Sequence, residues 1–287
     1  MKIGNEPGGL EEKELRLRER IESLGSILVA YSGGVDSSYL AAVAHETLGF
    51  GKAILVTGES ESLSDAFRER AKGLSADRGW NWRSIETMEL RSAAYRANSS
   101  DRCYYCKSEL FGRLAVLARQ WLLAAVADGT NADDLADLRP GRKAAEELGA
   151  ISPLAEAGMT KLDIREASRR RGLPTWDQPA SPCLSSRIPH GMEVTSRKLR
   201  EIEGAEAILR LEGFRDFRIR HHEREARIEV PIEEIPRLRM VFSRIEGAIL
   251  RIGFESISID PEGFRSGHLA REAARDARWV LPAIPAR

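Results

Sequence analysis

The sequence predicts a parallel β-sheet with helices on both faces, followed by a small α+β domain. Three observations lead to this α/β class. Short apolar runs, SILVAY at 26–31, AILVTGE at 53–59 and LLAAVADGT at 122–130, alternate with segments of helical periodicity, as βαβ units require. The longest purely apolar stretch, 121–127, falls far short of the roughly 20 residues of a membrane-spanning helix. In the last third, AEAILRLEGFRDFRIR (205–220) is echoed by EGAILRIGFESISID (246–260), each helix, Gly-Phe, strand.

Taken in order, 10–24 reads as an amphipathic helix with Leu10, Leu15, Ile21 and Leu24 as its apolar positions, closed by Gly25. The run 26–31 suits a buried parallel strand. SGGVDSS follows and opens an Ala-rich helix from Ser37 to about Leu48. The second strand is 53–59, a helix covers 63–78, a third strand lies near 82–86, and a helix runs from about Tyr105 to Gln120. A fourth strand at 122–130 precedes helices near 141–148 and 161–171. Thr160 and Asp163 read as a capping pair for the last helix, with Gly172 ending it. Residues 173–194 carry four prolines and no clean periodicity, as functional loops often do. In the echo beyond, RIEVPI (227–232) pairs with 217–222 across the HEREA turn. The expected domains are therefore 1–172, a Pro-rich loop or linker at 173–194, a small domain at 195–266, and a tail at 267–287.

Composition excludes several classes. Of 287 residues, 42% are hydrophobic and 31% charged, which excludes a disordered chain. Lys+Arg and Asp+Glu are both 44, so the basic excess that would hold a long nucleic acid is missing. The polar, acid-bearing N-terminus lacks the apolar core of a secretory signal, and a cytoplasmic protein is expected. The cysteines number 3. In a reducing compartment, cysteines at short spacing suggest a metal or reactive sulfur before a disulfide.

The first chemical motif is SGGVDSS, Ser32–Ser38. Glycines after a strand let successive N–H groups face one anion, and the helix that follows adds its positive end. A serine-capped turn is the bland alternative. The strand-loop-helix context favours a phosphate loop, though not of the Walker type, which needs Gly-x4-Gly-Lys-Ser/Thr. The second motif is sulfur: Cys103 and Cys106 as C-x-x-C at a helix start, and Cys183 in the Pro-rich loop. Three inert packed thiols remain possible; a shared site is preferred. Zinc wants four ligands, and His190 stands at an unusual spacing for the fourth. A three-thiolate iron–sulfur cube would leave one iron open.

SGGVDSS resembles the pyrophosphate loop (PP-loop) of the ATP pyrophosphatases, whose members cleave ATP between the α and β phosphates. That resemblance implies that Ser32, Gly33, Gly34, Asp36, Ser37 and Ser38 line the pyrophosphate site. It also implies that Mg²⁺ accompanies ATP, and that TGESES, with Thr57, lies beside the adenosine. A narrower resemblance joins SGGVDSS, RCYYCK, DGTNADDLADLRPG, SPCLSSRIPHG and RIRHHEREARIEV. Together, over about 10–260, they look like the LarE family of ATP-dependent sulfur transferases. What this implies is adenylylation of a carboxylate of pyridinium-3,5-biscarboxylic acid mononucleotide, then replacement of oxygen by sulfur, in nickel-pincer nucleotide cofactor synthesis. Three-cysteine members hold a [4Fe-4S] cluster that relays sulfide, so Cys103, Cys106 and Cys183 are expected as its ligands. Without a cluster, Cys183 is the candidate sacrificial donor.

The remaining charges divide by pattern. Arg218, Arg220 and His222 share one strand face. Paired guanidinium forks suit a phosphate, a solvated polar face is the plain alternative, and the resemblance favours a substrate site with Ser186, Arg187 and Glu229. In DGTNADD, Asp128, Asp133 and Asp134 suit Mg²⁺ or simply a turn; Asn131 and Asp134 are expected to line the ATP site. Arg139 and Lys143 are weighed as triphosphate contacts against plain exposure. Glu223 and Glu225 are expected at the surface. Tyr104, Tyr105 and Trp176 are expected in packing, and Arg169–Arg171 at a helix C-terminus. The partners expected are a small nucleotide substrate, an unspecified sulfide donor and further copies in a homo-oligomer, with no membrane and no long nucleic acid. Two other readings stay open: tRNA thiolation by a PP-loop enzyme, and a non-catalytic nucleotide-binding module with structural zinc.

Overall fold

The computed structural model describes residues 9–136, 140–179 and 182–264. The chain forms two compact units, Met1–Tyr95 with Asp101–Ser181, and Arg96–Ser100 with Pro182–Arg287.

The first unit begins with α1 (Leu10–Leu24), β1 (Ile27–Ala30), α2 (Val35–Leu48), β2 (Ala53–Glu59), α3 (Asp65–Asp77) and β3 (Trp82–Glu86). It continues through α4 (Ala93–Arg96, reaching the next unit), α5 (Arg102–Gln120), β4 (Ala125–Ala127), α6 (Pro140–Glu147), α7 (Pro153–Glu156) and α8 (Lys161–Arg170). The strands are parallel in the order β3-β2-β1-β4. The α/β class expected from the alternating runs is the one observed. α2 is buried from Ser37 to Ala44, and its alanines let α1 and α8 pack closely against it. A helix apolar on every side belongs inside the fold.

In this unit three local expectations change. On α1 the buried stripe is Leu17 and Ile21, joined by Leu10 and Leu24, while Leu15 is 55% exposed. At about 100° per residue, positions 10, 17, 21 and 24 share a face that 15 leaves. The fourth strand keeps only Ala125–Ala127, because Leu122 takes a positive φ of 55° in the turn that ends α5. α5 starts at Arg102, which puts both cysteines of the C-x-x-C inside its first turns. The capping pair on α8 forms as read: Thr160 Oγ1 accepts from the Asp163 amide, and Asp163 Oδ2 accepts from the Thr160 amide.

The order β3-β2-β1-β4 places the chain reversal beside β1. From β1 the chain steps outward to β2 and β3, then returns to β4 on the other side of β1. The loops after β1 and β4 therefore diverge at their carboxyl ends, where open α/β sheets bind ligands.

The second unit is α9 (Ser196–Leu211), β5 (Arg218–His222), β6 (Glu225–Glu229), α10 (Ile235–Leu250) and β7 (Ser256–Ile259). β5 pairs antiparallel with β6 across a tight turn at Glu223–Arg224. The strand expected at 227–232 instead runs Glu225–Glu229 and ends before Pro231, which has no N–H to donate. β6 pairs parallel with β7. The Gly-Phe echo has a structural cause. Gly213 and Gly253 leave their helices at positive φ, 80° and 137°, and drop Phe214 and Phe254 into the core. Arg96–Ser100 joins this unit through Asn98, whose Nδ2 donates to the carbonyls of Ile188, Pro189 and Met192. The Asn98 carbonyl accepts from the Gly191 amide. No sequence pattern marks that excursion.

Candidate active site

In the first unit the loop Ser32–Ser38 has the geometry an anion requires. Gly33 sits at φ +71°, and a Cβ there would stand 3.0 Å from the Cβ of Ala71. Gly34 is the extended N-cap of α2, with no side-chain cap of its own. The serine hydroxyls bind one another and the loop: Ser32 Oγ lies 3.0 Å from Ser37 Oγ, and Ser37 Oγ donates to the Gly34 carbonyl at 3.3 Å. Ser38 is buried, with its hydroxyl 3.5 Å from that of Tyr31. The loop is thus shaped by its own hydroxyls, and the amino end of α2 is left to an anion.

The loop after β4 comes against that helix end. A Cβ on Gly129 would meet the backbone nitrogen of Ser37 at 3.1 Å, so any side chain there would crowd this approach. Asp128 turns inward, accepting from the Thr130 amide, Thr130 Oγ1 and Ser152 Oγ. Asp133 accepts from the Lys161 amide at 2.8 Å, and Asp134 pairs with the Lys161 ammonium at 3.0 Å. Asn131 is fully buried, and its Nδ2 has no hydrogen-bond partner. Burial pushes the Asp36 carboxyl above the ordinary carboxylate range, and the Asp134 charge adds to this; Asn131, Lys161 and Arg165 oppose it.

These residues fit magnesium. That ion is commonly held by one or two carboxylates together with nucleotide phosphates. Asp36 and Asp134 supply that number, with the unspent Asn131 amide beside them. Among the described residues, no group of three or more His, Cys, Asp or Glu forms a self-sufficient metal centre.

Thr57 is turned inward. Its hydroxyl donates to the Tyr31 carbonyl at 2.7 Å and accepts from Trp82 Nε1 at 2.9 Å. Ser62 likewise binds buried Glu89 at 2.6 Å. Lys143 is exposed with Glu147 one turn away, and Arg139 lies outside the described residues.

The second unit holds a buried set of charges. Arg187, Arg218 and Arg220 are each at most 6% exposed, which removes the solvated-face alternative. Arg187 grips Glu206 at 2.8 Å and donates to the carbonyls of Pro182 and Cys183 and to Ser186 Oγ. Arg220 pairs with Glu229 at 2.9 Å and donates to the Ser186 carbonyl, while its Nε has no partner. Arg218 stacks on Phe264 and reaches Asp216 at 3.5 Å. Burial, and after it the Arg187 charge, pushes the Arg218 guanidinium down to about 10. It remains protonated at neutral pH. Three buried guanidinium groups, with Arg220 Nε lacking a partner, suit a phosphate or carboxylate. The sequence reading missed Glu206, whose helical context gave no sign that it would face an arginine, and it missed Gly129 and Lys161.

None of the three cysteines is in a disulfide; Cys103 and Cys183 are exposed and Cys106 is partly covered. Cys103 and Cys106 stand one turn apart on α5 in the first unit. A Cβ on Gly141, in the first turn of α6, would come 3.6 Å from the Cys103 Cβ. Cys183 precedes the 3-10 turn Leu184–Arg187 of the second unit. Among the described residues the three cysteines are not gathered into one metal-binding group. His190 turns toward the Asn98 carbonyl.

A Ser-Gly-Gly loop opening a helix at the switch point of a parallel sheet defines an α/β protein of the PP-loop class. No family model matches the chain. It is 34% identical, over 91% of its own length and 94% of the relative's, to the pyridinium-3,5-bisthiocarboxylic acid mononucleotide synthase of Lactiplantibacillus plantarum. The chain belongs to the LarE family of sulfur transferases. It is also 42% identical to an uncharacterized protein of Synechocystis sp., over 91% of this chain and 98% of that one. A protein of Methanocaldococcus jannaschii is 28% identical over 87% and 94%.

Proposed function

We propose that this chain is an ATP-dependent sulfur transferase that converts a carboxylate of pyridinium-3,5-biscarboxylic acid mononucleotide to a thiocarboxylate in nickel-pincer nucleotide synthesis. The observation that carries the reading is the near full-length match to the Lactiplantibacillus synthase, whose name specifies the doubly thiolated mononucleotide. It spans both units, so both the phosphate loop and the buried arginines fall within it.

A carboxylate is a poor electrophile, which is the reason to spend ATP. The substrate carboxylate oxygen attacks the α-phosphorus, the bond to the bridging oxygen breaks, and pyrophosphate leaves. A sulfur nucleophile then adds at the acyl carbon, and AMP departs with the former carboxylate oxygen. In this reading the amides of Ser32–Ser38 and the amino end of α2 hold the polyphosphate. Asp36 and Asp134 would hold Mg²⁺, which would offset phosphate charge. Asn131 donates its free amide, and Thr57 shapes the adenosine side from beneath. Arg187, Arg218 and Arg220, set by Ser186, Glu206 and Glu229, bind the anionic groups of the mononucleotide.

For sulfur delivery, Cys103, Cys106 and Cys183 are assigned as ligands of a [4Fe-4S] cluster, a group that supplies an open iron able to carry sulfide. Cysteines held outside disulfides accord with a reducing, cytoplasmic setting. The test is an anaerobic reaction of the purified protein with ATP and the biscarboxylate mononucleotide, read by mass spectrometry. Product bearing sulfur in place of oxygen, with AMP and pyrophosphate, is expected. ATP turnover without sulfur in the product would refute the transferase reading. Spent protein that has lost H₂S from Cys183 would replace the cluster by sacrificial delivery.

A further inference from the structure

Lys161 is the first residue of α8, and its amide is fixed by Asp133, which anchors the backbone. Its side chain behaves differently. It is 49% exposed, and among the described residues its one ion-pair partner is Asp134, at 3.0 Å. The neighbouring cation Arg165 is already committed, donating to the carbonyls of Trp176 and Gln178 at 2.8 and 2.6 Å. Lys161 is therefore a half-exposed positive charge that pairs with Asp134 and acts on Asp36. A lysine ammonium on a four-carbon stem can change partners at small cost. With both carboxylates ionised, two negative charges face this one ammonium. A magnesium ion entering with a polyphosphate would compete with it for Asp134 and offer it a more highly charged anion.

We propose that Lys161 is a positioning residue that neutralises Asp134 before nucleotide arrives, then releases Asp134 to the metal and turns its ammonium to the polyphosphate. This rests on the ATP reading above and adds an exchange of partners to it. The exchange makes opposite demands in the two states. Without nucleotide Lys161 opposes a divalent cation, and with nucleotide it favours the complex. A ligand shifts such an equilibrium only by its differential affinity for the two arrangements.

The experiment uses the full chain and its Lys161→Gln and Lys161→Arg variants. Mn²⁺ alone is titrated by electron paramagnetic resonance. Mn²⁺ with α,β-methylene-ATP, which cannot be cleaved at the bond in question, is titrated by calorimetry. Lys161→Gln is expected to bind Mn²⁺ alone about three- to fivefold tighter, the scale of a half-exposed ion pair. It is expected to bind the nucleotide analogue about tenfold more weakly, the scale of one charge-assisted contact. Lys161→Arg restores most of the analogue affinity. Unchanged or weaker Mn²⁺ binding in Lys161→Gln, or unchanged analogue binding, overturns the exchange while leaving the ATP reading in place. Failure of the unmodified protein to bind the analogue overturns both, and the two failures are told apart by that single control.

Discussion

Replacing Arg187 by Met is expected to loosen the Cys183 segment by removing its link to α9. The guanidinium is 2% exposed and makes five hydrogen bonds: two to Glu206 and one each to the Pro182 carbonyl, the Cys183 carbonyl and Ser186 Oγ. Met fills most of the volume but leaves Glu206 with Arg210 at 3.4 Å and the Ile219 amide at 3.4 Å. Breaking one side of a buried pair costs about 3–5 kcal/mol, chiefly because the remaining charge stays buried. In a unit of this size, about 4–8 °C of melting temperature accompanies each kcal/mol. The second unit should therefore melt about 12 °C or more lower. Arg187→Met/Glu206→Met removes both charges and should be no less stable than Arg187→Met alone. Urea unfolding followed by hydrogen exchange provides the assay. The amides of Ser186 and Ile188, which bond to the carbonyls of Cys183 and Ser185, should lose protection in the single variant. A cost below about 1 kcal/mol, or a double variant as unstable as the sum of both singles, would refute the account of Arg187 as the strut under Cys183.

Further outcomes follow from the same contacts. Gly129→Ala pushes a methyl against the Ser37 backbone at 3.1 Å and should cost about 1–3 kcal/mol as overpacking. Its nucleotide affinity, read by calorimetry, should fall by more than the stability loss explains, because the displaced atoms belong to the phosphate loop. Asp36→Asn removes a carboxylate whose ionised form burial disfavours. In thermal melts at neutral pH, the nucleotide-free variant should be more stable than the parent while losing Mn²⁺-nucleotide binding. His221 is buried against Glu201 and Phe254, and burial holds its imidazole below the usual histidine range. Below about pH 6.5 the unfolded chain binds the extra proton more readily, so stability is full above that value and falls with further acidification. His221→Gln should flatten part of that fall in urea titrations between pH 7.5 and 5. His45, which burial holds low, adds to the fall in the same direction.

Features that depend on short stretches of chain are legible in the sequence. Alternating strands and helices identified the α/β class, because burial patterns of period 2 and 3.6 are written locally. The loop Ser32–Ser38 was legible because its strand, glycines and helix are contiguous. The capping of α8 by Thr160 and Asp163 was legible for the same reason. Tertiary structure decided what depends on residues far apart in the chain. Gly129 looks like any turn glycine until its lack of a side chain admits the Ser37 backbone. Arg218 and Arg220 read as a polar strand face, and only the covering of that face turns them into a desolvated, positively charged set with Arg187. Lys161 gains its place because α8 begins where the β4 loop ends its turn. Electrostatic environment depends on what lies across a few ångströms of space, and hydrophobic period along the chain carries no record of that.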